Sequence, residues 1–189
     1  MTEMPFESLF DDASAWQVCA SGQAEGSVET ITGPGGEAGL RLRYDFHGGG
    51  GFVVMRRVFP LTLPTTFAWG YQLRGEGPPN HFECKVASPG GFNVWRYLRQ
   101  DFALPGEWQA IVMHERDMLF AWGPNGGGAP SEIEAIEFVI AAGPGGKGHL
   151  DISAAYLLDE TLRTPAAITA SSVSGTISTA SSSAFSAFT

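Results

Sequence analysis

The sequence predicts an all-β fold in which many short strands form a sandwich or a barrel. Its 189 residues include 25 glycines and 12 prolines, and 12% of them are aromatic. Apolar and polar residues alternate over short segments that end at glycine-rich or proline-rich turns. This composition and spacing are typical of strands joined by turns and not of helices. A length of 189 residues suits one such domain with a tail.

Ten segments have the pattern of a β-strand and follow one another at nearly even spacing. The predicted strands are residues 28–31, 40–46, 52–59, 67–74, 81–87, 93–99, 108–115, 118–122, 132–142 and 150–158. Residues 60–64 are expected to be a connection, because the prolines at both ends cannot donate a hydrogen bond to a central ladder. The secondary structure of residues 6–16 stays open, and this segment could cover one edge of a sandwich.

Alternation within the strands assigns side chains to faces. Phe67, Trp69, Tyr71 and Leu73 share one face of their strand. Residues 81–87 and 93–99 flank a Ser-Pro-Gly-Gly turn and are predicted to form a hairpin. If the numbers of two paired residues add up to an even number, the odd-numbered residues of both strands lie side by side. One bulge would change this alignment.

The strand 93–99 carries the residues that best suit ligand binding. On an extended chain its odd-numbered side chains share one face, which combines two aromatic rings with an amide and a guanidinium group. Aromatic rings stack against the C–H face of a pyranose, and the polar groups bond its hydroxyls. The predicted concave sugar-binding face consists of Asn93, Trp95, Tyr97, Arg99, Gln72, Arg74, His81 and Glu83. The alternative is that Trp95 is a rim or core aromatic and that the charged residues only solvate an exposed sheet.

Charge disfavours two classes of partner. The chain carries 11 basic and 20 acidic residues, with a formal net charge of −9. An acidic protein has no general attraction to phosphate backbones or anionic lipids, so we expect neither nucleic acid nor membrane as a partner.

No catalytic residue is predicted. Three of the histidines are isolated from each other without ligand spacing, and the sequence brings no two carboxylates to the distance that a glycosidase needs. A structural Ca²⁺ ion is the one cofactor considered, because acidic residues near both ends of the sandwich could bind it through oxygen. Its candidate ligands are Asp11 or Asp12, together with Asp151 or Asp159.

The cysteines and tryptophans have mostly structural interpretations. Cys84 alternates with Phe82 and Val86 and is expected to be a buried free thiol, and Cys19 lies far from it in the sequence. Trp69, Trp108 and Trp122 are expected to be core or loop-anchoring aromatics, and Trp16 stays undecided.

The domain organisation changes near residue 163. Residues 1–163 are expected to form the sandwich, whereas 164–189 consist of Ser, Thr and Ala with scattered apolar residues and no charge. This composition favours an interdomain linker or the start of a following domain. The acidic amino terminus lacks the pattern of a signal peptide, so either the protein stays inside the cell or a leader has been removed.

Four segments, taken in order, resemble a known family. They are residues 50–57 (GGFVVMRR), 93–95 (NVW), 120–124 (FAWGP) and 141–148 (AAGPGGKG). Residues 6–158 are similar to the amino-terminal sandwich of bacterial multidomain proteins of the discoidin, or coagulation factor 5/8, type within the galactose-binding-like group. This resemblance implies a jelly roll, non-catalytic attachment to glycans, often a calcium ion, and a glycoside hydrolase region downstream.

Three functions follow as hypotheses. The leading one is a carbohydrate-binding module that holds an attached enzyme near a polysaccharide, with Trp95 or Tyr97 exposed in a groove. The second is a structural spacer that buries these rings against another domain. The third is a jelly-roll enzyme, which would require histidines and carboxylates clustered around a cleft.

Overall fold

The protein is an all-β jelly-roll sandwich, as the sequence predicts. The computed structural model describes residues 5–161, so the tail predicted for 164–189 lies outside the described residues. The strands are β1 Gln17–Ala20, β2 Glu25–Thr32, β3 Ala38–Asp45, β4 Phe52–Thr62, β5 Phe67–Glu76, β6 Asn80–Ala87, β7 Val94–Phe102, β8 Gln109–His114, β9 Leu119–Trp122, β10 Glu132–Ala141 and β11 Lys147–Asp159. All ten predicted strands are present, and β1 was not predicted.

The strands form two antiparallel sheets. The six-stranded sheet has the order β1-β4-β10-β6-β7-β9, and the five-stranded sheet has the order β2-β3-β11-β5-β8. Successive strands therefore often change sheet, as sandwiches of this class require. Within residues 5–161 every helix is a short 3-10 segment, and none is long and apolar enough to cross a membrane.

Aromatic rings from both sheets meet around Phe138 in the middle of the core. Ring centroids of five residues lie 5.5 to 6.4 Å from that of Phe138: Phe10, Trp16, Trp69, Tyr71 and Phe82. The predicted inward row of β5 is confirmed, because Phe67, Trp69, Tyr71 and Leu73 are all buried. Such edge-to-face and offset contacts stabilise the core beyond the free energy of burying the rings.

The amino-terminal segment enters the core through its side chains. Short 3-10 turns at Pro5–Ser8 and Ala13–Ala15 precede β1. Phe6, Leu9, Phe10 and Trp16 are buried, and the Trp16 indole donates a hydrogen bond to the carbonyl of Leu9. The segment thus contributes to the core itself as well as covering it.

The expectation that residues 60–64 only connect two strands is wrong in part. Strand β4 continues through Pro60 to Thr62 and pairs with β10. The register shifts between Ile133 and Ala135, so that two residues of β4 lie opposite one residue of β10. Since β1 pairs only with residues 53–56 of β4, the other edge is open at Pro60 and requires no N–H group there.

The register of the hairpin formed by β6 and β7 differs from the predicted one, because the odd-numbered residues of β6 share a face with the even-numbered residues of β7. Glu83 lies opposite Leu98, Lys85 opposite Arg96, and Val86 opposite Trp95, so the pairing sum is odd. The six residues 88–93 form the connection, closed by a hydrogen bond from the Ser88 amide to the Asn93 carbonyl. This register buries the large indole of Trp95 with the apolar row of β6 and sends Arg96 outward.

A buried ion cluster joins three strands on the outward face of the five-stranded sheet. The Asp151 carboxylate has no exposed surface and accepts hydrogen bonds from Arg41 at 2.6 and 2.8 Å and from Arg74 at 2.9 Å. Burial alone would raise the pKa of Asp151, but the two guanidinium groups lower it below its ordinary value.

Replacing Asp151 with Asn should lower the free energy of unfolding by about 3 kcal/mol at neutral pH, because two arginines lose their counter-charge. The ionised carboxylate stabilises the fold above its unfolded pKa of about 3.9, and this contribution is lost as the pH falls through the lower folded value. Urea unfolding from pH 7 to pH 2 measures it. Glu29→Gln, which breaks an exposed pair with Arg43, is the control and should cost less than about 1 kcal/mol. Equal losses in the two variants would contradict the assignment.

The two cysteines are free and lie in different environments. Cys84 is buried in the core, as predicted, whereas Cys19 is exposed on β1. Burial raises the pKa of the Cys84 thiol well above its usual value.

One thiol of the native protein should therefore react rapidly with a disulfide reagent, and the second only after denaturation. Counting released chromophore before and after adding guanidinium measures this. Cys19→Ser should remove the rapid phase and leave the slow one, and rapid reaction of both thiols would contradict the packing of β6.

Candidate functional site

The structure divides the eight predicted sugar-binding residues between two sheets. Gln72 and Arg74 lie on β5 of the five-stranded sheet, whereas the others lie on β6 or β7 of the six-stranded sheet or, for Asn93, directly before β7. The prediction of a single concave face is therefore wrong. Its error lies in treating β5 and β6 as neighbours in one sheet, although the chain crosses to the other sheet between them.

Trp95, Tyr97 and Arg99 occupy the alternate positions of β7 that lie opposite the buried row of β6. Trp95 is only 3% exposed, donates a hydrogen bond from its indole to the Gly128 carbonyl at 2.6 Å and packs edge-on against Phe120. Tyr97 packs against the core, and the Arg99 guanidinium lies over the Phe102 ring at 4.4 Å. Trp95 is therefore the core aromatic of the alternative interpretation.

Asn93 and His81 have structural partners. Asn93 is buried, and its side-chain oxygen accepts a hydrogen bond from the Asn125 amide at 3.0 Å. The His81 ring accepts one from the Asp101 amide at 3.3 Å, where Asp101 has a positive φ. His81 and Glu83 both occupy outward-facing positions of β6, and Glu83 joins a group of charged side chains.

A row of charged side chains crosses the outward face of the six-stranded sheet. Arg56, Glu137, Lys85 and Arg96 lie opposite one another on four neighbouring strands. Arg56 and Glu137 form a close pair at 2.5 Å. Glu83, one row away and 8% exposed, lies 3.4 Å from the Lys85 ammonium and 3.5 Å from the Arg96 guanidinium. The row presents forked donors and carboxylate acceptors, which are the groups that bond hydroxyls.

Trp122 on edge strand β9 supplies an aromatic surface beside this row. Its side chain is 51% exposed, and the Lys85 ammonium lies 5.5 Å from its ring centroid. The interpretation of Trp122 as a core or loop anchor is therefore wrong, whereas it is correct for Trp69. Val94 pairs with Trp122 but Trp95 pairs with Phe120, so Ala121 is an extra residue that places Phe120 and Trp122 on opposite faces. Simple alternation could not reveal this exposed indole.

A groove lies across the other sheet. It has a volume of about 570 Å³, and its floor includes the backbone of Gly26 and Gly148. Two rows of polar side chains flank it: Ser27, Arg43, His149 and Glu76, and then Glu25, Asp45 and Lys147. Tyr44 is the one aromatic in its lining, and its side chain is buried in the core. Because the groove offers no exposed ring for stacking, the face with Trp122 is the better candidate site.

The four predicted calcium ligands do not lie together. Asp12 accepts hydrogen bonds from Ser14 beside the second 3-10 turn, and Asp159 accepts one from the Thr161 amide. Asp151 is held by Arg41 and Arg74, as described above. Asp11 is exposed at the end of the first turn. Between residues 5 and 161 there is no group of three or more His, Cys, Asp or Glu side chains suited to a metal ion.

Comparisons with known proteins identify the fold. No protein-family model and no curated protein sequence matches this chain. Its structure is similar to the family 11 carbohydrate-binding module of a cellulosomal cellulase of Clostridium thermocellum, with a TM-score of 0.63 and 16% identity over 83% of this chain and 94% of that one. The fold is that of the β-sandwich carbohydrate-binding modules. The prediction of a jelly-roll β-sandwich is thus confirmed, whereas the galactose-binding-like group and its discoidin type stay predictions.

Two further structures are similar over most of this chain. A family 11 module from Clostridium thermocellum in complex with a β-1,3-1,4-mixed-linked tetrasaccharide has a TM-score of 0.58 and 16% identity over 76% of this chain and 91% of that one. An exo-β-agarase has a TM-score of 0.56 and 16% identity over 81% of this chain and 24% of its own. The sandwich therefore resembles both a separate module and one part of a larger enzyme.

Trp95→Ala should lower the free energy of unfolding by about 3 to 5 kcal/mol, because it leaves a cavity in the core. Trp122→Ala should change it by less than about 1 kcal/mol, since the ring is half exposed. Urea titration followed by circular dichroism measures both without relying on tryptophan fluorescence. Similar losses for the two variants would mean that Trp122 also belongs to the core.

Proposed function

We propose that this chain is a non-catalytic carbohydrate-binding domain that holds a glycan on the outward face of its six-stranded sheet. The observation that carries the proposal is the exposed indole of Trp122 beside Lys85. The fold supports it, because similar sandwiches are carbohydrate-binding modules and one of these structures contains a bound tetrasaccharide.

The chemistry of the face matches that of a sugar. A pyranose has an apolar C–H surface that stacks on an aromatic ring and a rim of hydroxyls that both donate and accept hydrogen bonds. Trp122 offers the ring, Arg56, Lys85 and Arg96 offer donors, and Glu83 and Glu137 offer acceptors. All five charged groups lie on paired strands, so their backbone positions are fixed before a ligand arrives.

The proposed role is attachment and not chemistry. A domain of this kind keeps an attached catalytic domain, such as a glycoside hydrolase, at high effective concentration near its polysaccharide. The similarity to a module of a cellulase and to about a quarter of an agarase chain supports this arrangement. Weak contacts at each site suffice for this role, because many equivalent sites lie along one polymer.

Trp122→Ala should weaken glycan binding at least about tenfold, because it removes the stacking surface of the proposed site. Electrophoresis of residues 1–189 through gels that contain neutral or charged soluble polysaccharides measures this as a loss of retardation. The panel includes mixed-linkage β-glucan, an agarose-type galactan and polygalacturonate.

Trp108→Ala is the matched control. Trp108 is a half-buried tryptophan that packs under the Arg74 guanidinium on the other sheet, and its loss should leave retardation unchanged. If the wild-type chain migrates freely in every gel, the proposal fails and a structural spacer becomes the better interpretation. Equal retardation of wild type and the Trp122 variant would move the site elsewhere on the domain.

A further inference from the structure

Two like charges face each other on the candidate face. Lys85 on β6 lies directly opposite Arg96 on β7, at the separation of neighbouring strands, which is about 4.8 Å. Cross-strand pairs of like charge destabilise a sheet, whereas pairs of opposite charge stabilise it. On the other side of Lys85 lies Glu137, which is also opposite Arg56, so these two pairs follow the stabilising pattern. We name Lys85 and Arg96 the cation pair.

One carboxylate serves both members of the cation pair. Glu83 lies 3.4 Å from Lys85 and 3.5 Å from Arg96, whereas a close charge-assisted hydrogen bond measures about 2.7 to 2.9 Å. Glu137 lies on the row itself, opposite both Arg56 and Lys85, but its carboxylate is engaged with Arg56 at 2.5 Å. Glu83 thus compensates one of the two positive charges and binds neither tightly.

The net charge of the two central rows of this face has the opposite sign to the net charge of the chain. The two central rows of the face carry three cations, Arg56, Lys85 and Arg96, and two carboxylates, Glu83 and Glu137, so the difference is one positive charge. The whole chain has a formal net charge of −9. These two rows therefore have the opposite sign of net charge from the rest of the molecule, and they lie beside the exposed indole of Trp122.

We infer that the ligand is an anionic glycan, one whose sugar units carry a carboxylate or a sulfate ester. One sugar ring stacks on the face of the Trp122 indole that Lys85 does not cover, while its anionic group lies between Lys85 and Arg96 and provides the second counter-charge. The 5.5 Å between the Lys85 ammonium and the indole centroid places ring and anion within one monosaccharide. This inference rests on the proposed function and narrows its ligand class.

Matched pairs of polysaccharides separate charge from sugar identity. Polygalacturonate is compared with its fully methyl-esterified form, and carrageenan, a sulfated galactan, with uncharged agarose. Affinity electrophoresis and calorimetry of residues 1–189 should show binding to at least one charged member, at least about tenfold tighter than to its neutral partner. Binding to polygalacturonate but not to carrageenan identifies a uronate. Binding to carrageenan but not to polygalacturonate identifies a sulfate ester. Raising the salt concentration should weaken the charged interaction.

Two variants with opposite expected effects test the cation pair. Lys85→Met should weaken binding of the charged glycan about tenfold. Glu83→Gln removes the competing carboxylate and should tighten it about threefold, a gain that no loss of folding could produce. Arg43→Gln, on the outward face of the other sheet, is the control and should leave the affinity for the charged glycan unchanged.

The outcomes separate this inference from the proposed function. Equal or tighter binding of the neutral members overturns the anionic ligand class but keeps the carbohydrate-binding role. Absence of binding to all four polysaccharides counts against both. Weaker binding by Glu83→Gln would show that Glu83 serves the ligand as an acceptor and does not compete with it for the cation pair, which would overturn the role of the cation pair.

Discussion

Burial of the aromatic cluster around Phe138 determines which way the strands of the six-stranded sheet face. Because side chains alternate along a strand, placing Phe138 inward forces Glu137 outward on β10. Pairing then transmits this choice to the neighbours, so that Phe82 and Trp95 lie inward while Lys85 and Arg96 lie outward. The charged row of the candidate site is thus the necessary reverse side of the core.

Much of the fold could be predicted from local pattern. Ten of the eleven strands have alternating apolar residues bounded by glycine or proline, and the inward row of β5 follows from alternation alone. Strand β1 has only four residues, most of them exposed, so no pattern of alternation marks it. Pro60 can lie in β4 because no strand pairs with β4 on one side at this residue. This is a property of the sheet and not of the local sequence.

The candidate site was harder to predict because it depends on register. The kinds of residue were predicted correctly, since an aromatic ring does lie beside cations and carboxylates on one face, and Glu83 is one of these carboxylates. The parity of the β6–β7 hairpin, however, is set by its six-residue connection, and the burial of Trp95 agrees with that parity. The extra residue Ala121 reverses the expected direction of Trp122. A shift of one residue at either place exchanges the two faces, and neither shift leaves a signal in composition.

Asn93 and Trp95 still act on the site, although they do not line it. Asn93 accepts a hydrogen bond from the Asn125 amide, and Trp95 donates one to the Gly128 carbonyl, so both clamp the glycine-rich loop that follows Trp122. The clamp fixes the backbone on the carboxyl side of Trp122, and pairing with Val94 fixes the indole-bearing residue itself. The conformational entropy of this corner is therefore lost when the chain folds and not when a ligand binds, which leaves more of the contact energy to appear as affinity.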